Sequence, residues 1–112
     1  MKRRIAIPTE NGVLSGHFGH SRQFAFFETD DKKIVSEDIM APPPHERGAI
    51  PKWLVEQRIT DVIAGGIGEH AINNLRRHHI NIYTGARLKN PGELTRDLLD
   101  GTLETGENYC DH

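Results

Sequence analysis

The sequence predicts a mixed α/β domain, a five-stranded mixed sheet flanked by helices in the order β-β-β-α-β-α-β-α. Three observations carry that expectation. Aromatic Gln23–Thr29 and apolar Ile34–Met40, separated by Asp30-Asp31-Lys32-Lys33, read as an antiparallel hairpin. Ile59–Ala64, the turn Gly65-Gly66-Ile67-Gly68, helical apolar positions Ala71, Ile72 and Leu75, and then Ile80–Tyr83 make a right-handed βαβ unit with parallel strands. Finally, Asn90-Pro91-Gly92-Glu93 sets asparagine at N-cap, proline at N1 and glutamate at N3 of a closing helix.

Taken in order, Arg4–Pro8 is a short β-branched run closed by proline, the first strand. Thr9-Glu10-Asn11-Gly12 turns the chain into Ser15-Gly16-His17-Phe18-Gly19-His20-Ser21, where glycines between histidines argue for a presented loop rather than a helix. After the hairpin, Ala41-Pro42-Pro43-Pro44 is an extended connector. The first helix starts near Ile50-Pro51, turns Ile50, Trp53 and Leu54 to one face, and ends around Gln57-Arg58. In the last helix Leu94, Leu98 and Leu99 face the core, and Gly101 stops it. Residues 1–101 thus form one domain with no internal repeat, and polar, aperiodic 102–112 is expected to be a mobile tail.

Composition narrows the function. A chain of 112 residues with 27% charged and 36% hydrophobic residues buries a core without disulfides or a structural metal. No apolar run is long enough to span a bilayer, and Met1-Lys2-Arg3-Arg4 leads into Ile5-Ala6-Ile7-Pro8 rather than a secretory h-region, so a cytoplasmic protein is expected. A net charge of −2 from 14 basic and 16 acidic residues argues against a nucleic-acid partner. The single cysteine, Cys110, forbids an intrachain disulfide and a four-thiolate iron–sulfur site. Any such cluster would need other ligands or arrive preassembled. Seven histidines are the compositional anomaly, and they make metal chemistry worth testing.

His17 and His20, three residues apart, suit iron, nickel, copper or zinc, or else bond backbone groups in a structural loop that Phe18 plugs against the sheet. Two imidazoles do not close a structural zinc site, which takes four ligands. His45 follows the stiff proline connector and is either a third imidazole or an exposed residue before a helix. His78-His79 is explained by its place at a helix C-terminus, and His70, in the first turn of the second helix, has no assigned role. Gly65-Gly66-Ile67-Gly68 presents N–H groups at a helix N-terminus without the spacing of a nucleotide fingerprint, so it holds a non-nucleotide anion or simply packs tightly. Cys110 and His112 form a terminal Cys-x-His that reaches a metal or is incidental. This strand and helix order also describes ribonuclease H-type nucleases, but the first strand carries no acid and Asp61 opens its strand instead of closing it. No nucleophile–base–orienter set for acyl transfer is present either.

Ser15–His20, the aromatic strand Phe24–Phe27, Val62-Ile63-Ala64-Gly65-Gly66-Ile67-Gly68 with Ala71 and Leu75, and Ile80–Tyr83 together resemble the dinitrogenase iron–molybdenum cofactor biosynthesis family, which contains NifX-like carriers and the C-terminal domain of NifB-like proteins. The likeness implies a ribonuclease H-like fold without nuclease activity. It also implies a non-enzymatic carrier or scaffold for an iron–sulfur or iron–molybdenum type cluster, working with a cluster-donor or acceptor protein. A preassembled cluster brings its own sulfides, so few protein ligands hold it and sparse cysteine is no objection. The resemblance carries over His17, Phe18 and Gly19 as motif core, His17 and His20 as ligand candidates, Gly65, Gly66 and Gly68 as the neighbouring turn, and His45 as a weaker addition. Arg22 and the turn N–H groups add electrostatic attraction for an anionic cluster, about 0.3–1 kcal/mol at an exposed helix terminus. The alternatives are a metal-independent interaction or regulatory domain on the same fold and a mononuclear divalent-metal binder.

Overall fold

The computed structural model describes residues 1–44, 46 and 48–108, and its spine is β1 (Lys2–Glu10). Ile5 and Ile7 point to one face of the sheet and Ala6 to the other, all fully buried, as a strand covered on both sides requires. On one edge β1 pairs antiparallel with β3 (Gln23–Asp30), setting Ile5 opposite Phe27 and Ala6 opposite Phe26. On its other edge it pairs in parallel with β5 (Asp61–Ile63), which pairs in parallel with β6 (Asn81–Tyr83). With β4 (Lys33–Met40) outside β3, the sheet order is β4-β3-β1-β5-β6.

The sheet has six strands rather than the expected five. Pro8 does not end β1. The strand runs on to Glu10, turns through left-handed Asn11 and Gly12, and returns as β2 (Val13–Leu14), pairing Thr9 with Leu14 and Glu10 with Val13. Two residues carry too little periodicity to be read from sequence.

The β3–β4 hairpin contains a bulge at Glu28/Thr29, where Ser36 and Ile34 pair with successive residues and Val35 is left over. That extra residue inverts the alternation. Ile34 packs against one core cluster and Met40 against the other.

Helices α1 (Ala49–Glu56) and α2 (Glu69–Arg77) lie over the face that buries Phe24 and Phe26, where Trp53 stands 5.5 Å from Phe24 and 5.2 Å from Phe26. Helix α3 (Pro91–Asp100) covers the Ile5–Ile7–Phe27 face. Its caps are those expected: the Asn90 side chain accepts from Gly92 N at 2.8 Å, and Gly101 takes φ 75°. Among the described residues no helix is long and apolar enough to cross a membrane.

Residues 102–108, the described part of the expected tail, lie against the domain. Leu103 packs against the α3-side core, Gly106 N donates to Thr84 O at 3.1 Å, and Asn108 bonds the backbone of Ile67. Sequence periodicity is blind to a strap held by backbone and amide groups.

Candidate functional site

The histidine loop is held by its serines, its backbone and Phe18. Ser15 N donates to Pro8 O at 2.8 Å, the Ser15 hydroxyl accepts from His17 N at 3.2 Å, and the Ser21 hydroxyl donates to His17 O at 2.9 Å. Phe18–His20 then form one 3-10 turn, closed by His20 N to His17 O at 3.2 Å. Residues three apart eclipse in such a turn, so His17 and His20 share a side while Phe18 points the other way. Phe18 is 2% exposed, edge-on to Phe24 at 5.6 Å, and anchors the loop in the core; both histidines are exposed. The structural role expected of Phe18 is therefore real, and it is what presents the imidazoles.

Their ring centres are 6.4 Å apart at 76°. Sharing one tetrahedral ion through bonds of about 2.0 Å would draw the ring centres to roughly 5 Å.

The glycine turn meets this loop directly. Phe18 N donates to Gly66 O at 2.9 Å and Gly66 N to Gly16 O at 3.1 Å, a two-bond bridge between the segments following β1 and β5. These are carboxyl ends of adjacent parallel strands, where ligand sites of open α/β sheets gather. A cavity of about 470 Å³ opens there, reached by His17, His20 and His70 and floored by Gly66 and Gly68. Gly48, Ile50 and Pro51 of the first turn of α1 line it too, opposite Gly68 and Glu69 at the start of α2. Neither helix has a side-chain cap and both positive dipole ends lie at the lining, although in α1 Ala49 N donates to Glu46 O at 3.0 Å and Pro51 carries no N–H. Glu46 and Glu69 also line it.

The structure thus brings His17, Phe18, Gly19, His20, Gly66 and Gly68 to one cavity. Gly65 is buried beside it, accepting from Gly85 N at 2.9 Å, and exposed Arg22 does not line it. His45, Cys110 and His112 lie outside the described residues. Sequence reasoning gave His70 no role and missed Glu46, Glu69 and the first turn of α1. The only local signal for that turn was the start of a helix at Ile50-Pro51 after a rigid connector. Among the described residues no three histidine, cysteine, aspartate or glutamate side chains come together as a metal cage.

Known proteins agree with this architecture. The family model described as dinitrogenase iron-molybdenum cofactor matches residues 1–101. Uncharacterized protein MJ0580 of Methanocaldococcus jannaschii is 27% identical over an alignment of 109 residues, covering 93% of this chain and 92% of that protein. The crystal structure of PH0822 superposes with a TM-score of 0.86 at 26% identity, covering 94% of this chain and 96% of that one. The apo form of the orange protein from Desulfovibrio gigas shares the fold, with a TM-score of 0.78 at 17% identity, 95% of this chain and 94% of that one. The chain belongs to the dinitrogenase iron-molybdenum cofactor family.

Proposed function

We propose that this protein is a non-enzymatic carrier or scaffold for a preassembled, anionic iron–sulfur or iron–molybdenum type cluster, ligated in the cavity by His17, His20 or both. The observation that supports it best is two exposed imidazoles, set on one side of a 3-10 turn, at a cavity of about 470 Å³ into which two uncapped helix N-termini open. Imidazole supplies the coordinate bond. Helix ends favour a negative cargo by about 0.3–1 kcal/mol each, and Glu46 and Glu69 at the same lining oppose it, so coordination carries most of the affinity.

An incomplete ligand set suits cargo that must leave again. A cluster arrives with sulfides on most of its metal positions, and one or two imidazoles then hold it without enclosing it. A permanent zinc site would want four protein ligands, and the described residues bring no three together. His45, Cys110 and His112 enter this reading as secondary ligand candidates, and Arg22 as diffuse positive charge at the rim. The partner is a protein that donates the cluster or accepts it. We read the five strands β4-β3-β1-β5-β6 as a ribonuclease H-like motif, with the meander β1-β3-β4 antiparallel and β5 and β6 parallel to β1, used for binding instead of hydrolysis.

The test is anaerobic reconstitution with iron and sulfide, and separately with an iron–molybdenum cluster, followed by metal and sulfide analysis and absorption spectra. Uptake is expected in the wild type and to fall at least about tenfold, roughly 1.4 kcal/mol, in His17→Ala/His20→Ala. Equal uptake by the double variant would remove the histidines from the site.

A further inference from the structure

The described residues following α3 run back over the loop after β6 and reach the glycine turn at Asn108. Gly85, at φ +67°, leaves room for it: a Cβ there would fall 2.6 Å from the carbonyl oxygens of Gly106 and Glu107. Glu104 pairs with Arg87 on the way. Asn108 then spends both ends of its side-chain amide on one residue: Ile67 N donates to Oδ1 at 3.0 Å, and Nδ2 donates to Ile67 O at 2.6 Å. Ile67 is 1% exposed, so water does not readily replace either bond.

Ile67 sits between the two glycines that build the cavity floor. Gly66 exchanges hydrogen bonds with Gly16 and Phe18, and Gly68 is the N-cap of α2. Three glycines in four residues leave the turn a single side chain, that of Ile67 buried in the core, and glycine backbone is the freest of all. Its register must come from outside.

We propose that Asn108 is a positioning residue of the cavity, a latch that fixes the Gly65–Gly68 turn and, through Gly66, the orientation of the His17–His20 loop. The chain of contacts is continuous, from the Asn108 amide to the Ile67 backbone, to Gly66, and to Gly16 and Phe18 on either side of His17. Opening the strap lowers affinity in the cavity without removing any ligand, so a partner that takes hold of the C-terminal segment would promote release. Only the affinity consequence rests on the cargo reading above.

The test compares full-length wild type with Asn108→Ala, Asn108→Asp, Glu104→Ala and a chain ending at Asn108. The ligand-free readouts are Ile67 amide hydrogen exchange and the ring NMR signals of His17 and His20. The ligand readout is uptake of a [4Fe–4S] cluster assembled from ferrous iron and sulfide. Asn108→Ala is expected to lose Ile67 protection, shift or broaden both ring signals, and bind about tenfold more weakly. Asn108→Asp keeps the acceptor for Ile67 N–H and should fall between, which preserves the test if the alanine variant does not fold. Glu104→Ala should match wild type in every readout, and the chain ending at Asn108, which lacks the secondary ligand candidates Cys110 and His112, in the two ligand-free readouts.

Unmoved ring signals in both folded Asn108 variants would overturn the latch. So would a loss of Ile67 protection in the shortened chain equal to that of Asn108→Ala, which would assign the effect to residues beyond Asn108, or an equal ring shift in Glu104→Ala, which would assign it to the strap as a whole. If wild type takes up no cluster, the cargo reading fails while the exchange and ring signals still decide the latch.

Discussion

At Gly19 the chain leaves open space: a Cβ built there meets no atom within 4 Å, and its φ lies outside the left-handed region. Nothing inside the protein therefore requires glycine at this position, which lines the cavity between the two histidines. Gly85 is the contrast, with a positive φ and backbone packed where a side chain would go. Gly19→Ala should leave the fold intact and raise stability by a few tenths to about 1 kcal/mol through the unfolded chain, as followed by urea unfolding. Cluster uptake by the same variant should fall, because the methyl group occupies the approach to His17 and His20. Unimpaired uptake would place the cargo elsewhere on the loop. The histidines themselves were legible as a presented pair because glycine and serine surround them. That Phe18 is the anchor which orients them depended on Phe24 and Trp53, residues that join it only in the folded core.

Between elements, the lower ends of β1, β5 and β6 are tied by one carboxylate. Asp61 is 1% exposed and accepts from Thr60 Oγ1 at 2.6 Å and from Asn81 Nδ2 and Tyr83 OH at 3.3 Å, with Arg3 at 3.5 Å. Burial first, and the Asp61 charge second, hold the Tyr83 phenol above its ordinary value of 10.0. The unfolded chain accordingly loses this proton at lower pH than the folded one. Stability from this group is complete below about pH 10 and is lost as pH rises through the folded value. Tyr83→Phe should flatten the alkaline limb of the stability profile above about pH 10, at a cost near neutrality of about 1 kcal/mol for the donor taken from Asp61. Denaturant unfolding from pH 7 to 11 checks it, and an unchanged alkaline slope would exonerate Tyr83. Asp61 opens β5 and does not line the cavity. The bulge at Val35 was not legible, because a leftover residue shows itself only against the partner strand.

For the whole molecule, cargo that binds the folded chain and not the unfolded one stabilises it by mass action. At a free cluster concentration one hundred times Kd the gain is about 2.7 kcal/mol. Anaerobic calorimetry of loaded and cluster-free protein should show that gain as a higher Tm, absent from His17→Ala/His20→Ala. Equal Tm values at saturating cluster would mean that the folded state offers the cargo no preferential site. Local chemistry sufficed for much of this protein: strand and helix segments from apolar periodicity, the α3 caps from Asn90 and Gly101, and the two glycine-bearing loops from residue type alone. Each of those signals lives within a few residues of chain. The meeting of the loops through Gly16, Phe18 and Gly66, the second helix end at Gly48–Pro51, and the docking of Asn108 on Ile67 are contacts between residues 41 or more apart or between separate elements. They follow from strand order and backbone hydrogen bonding, which no periodicity encodes, and they turn two weak motifs into one cavity.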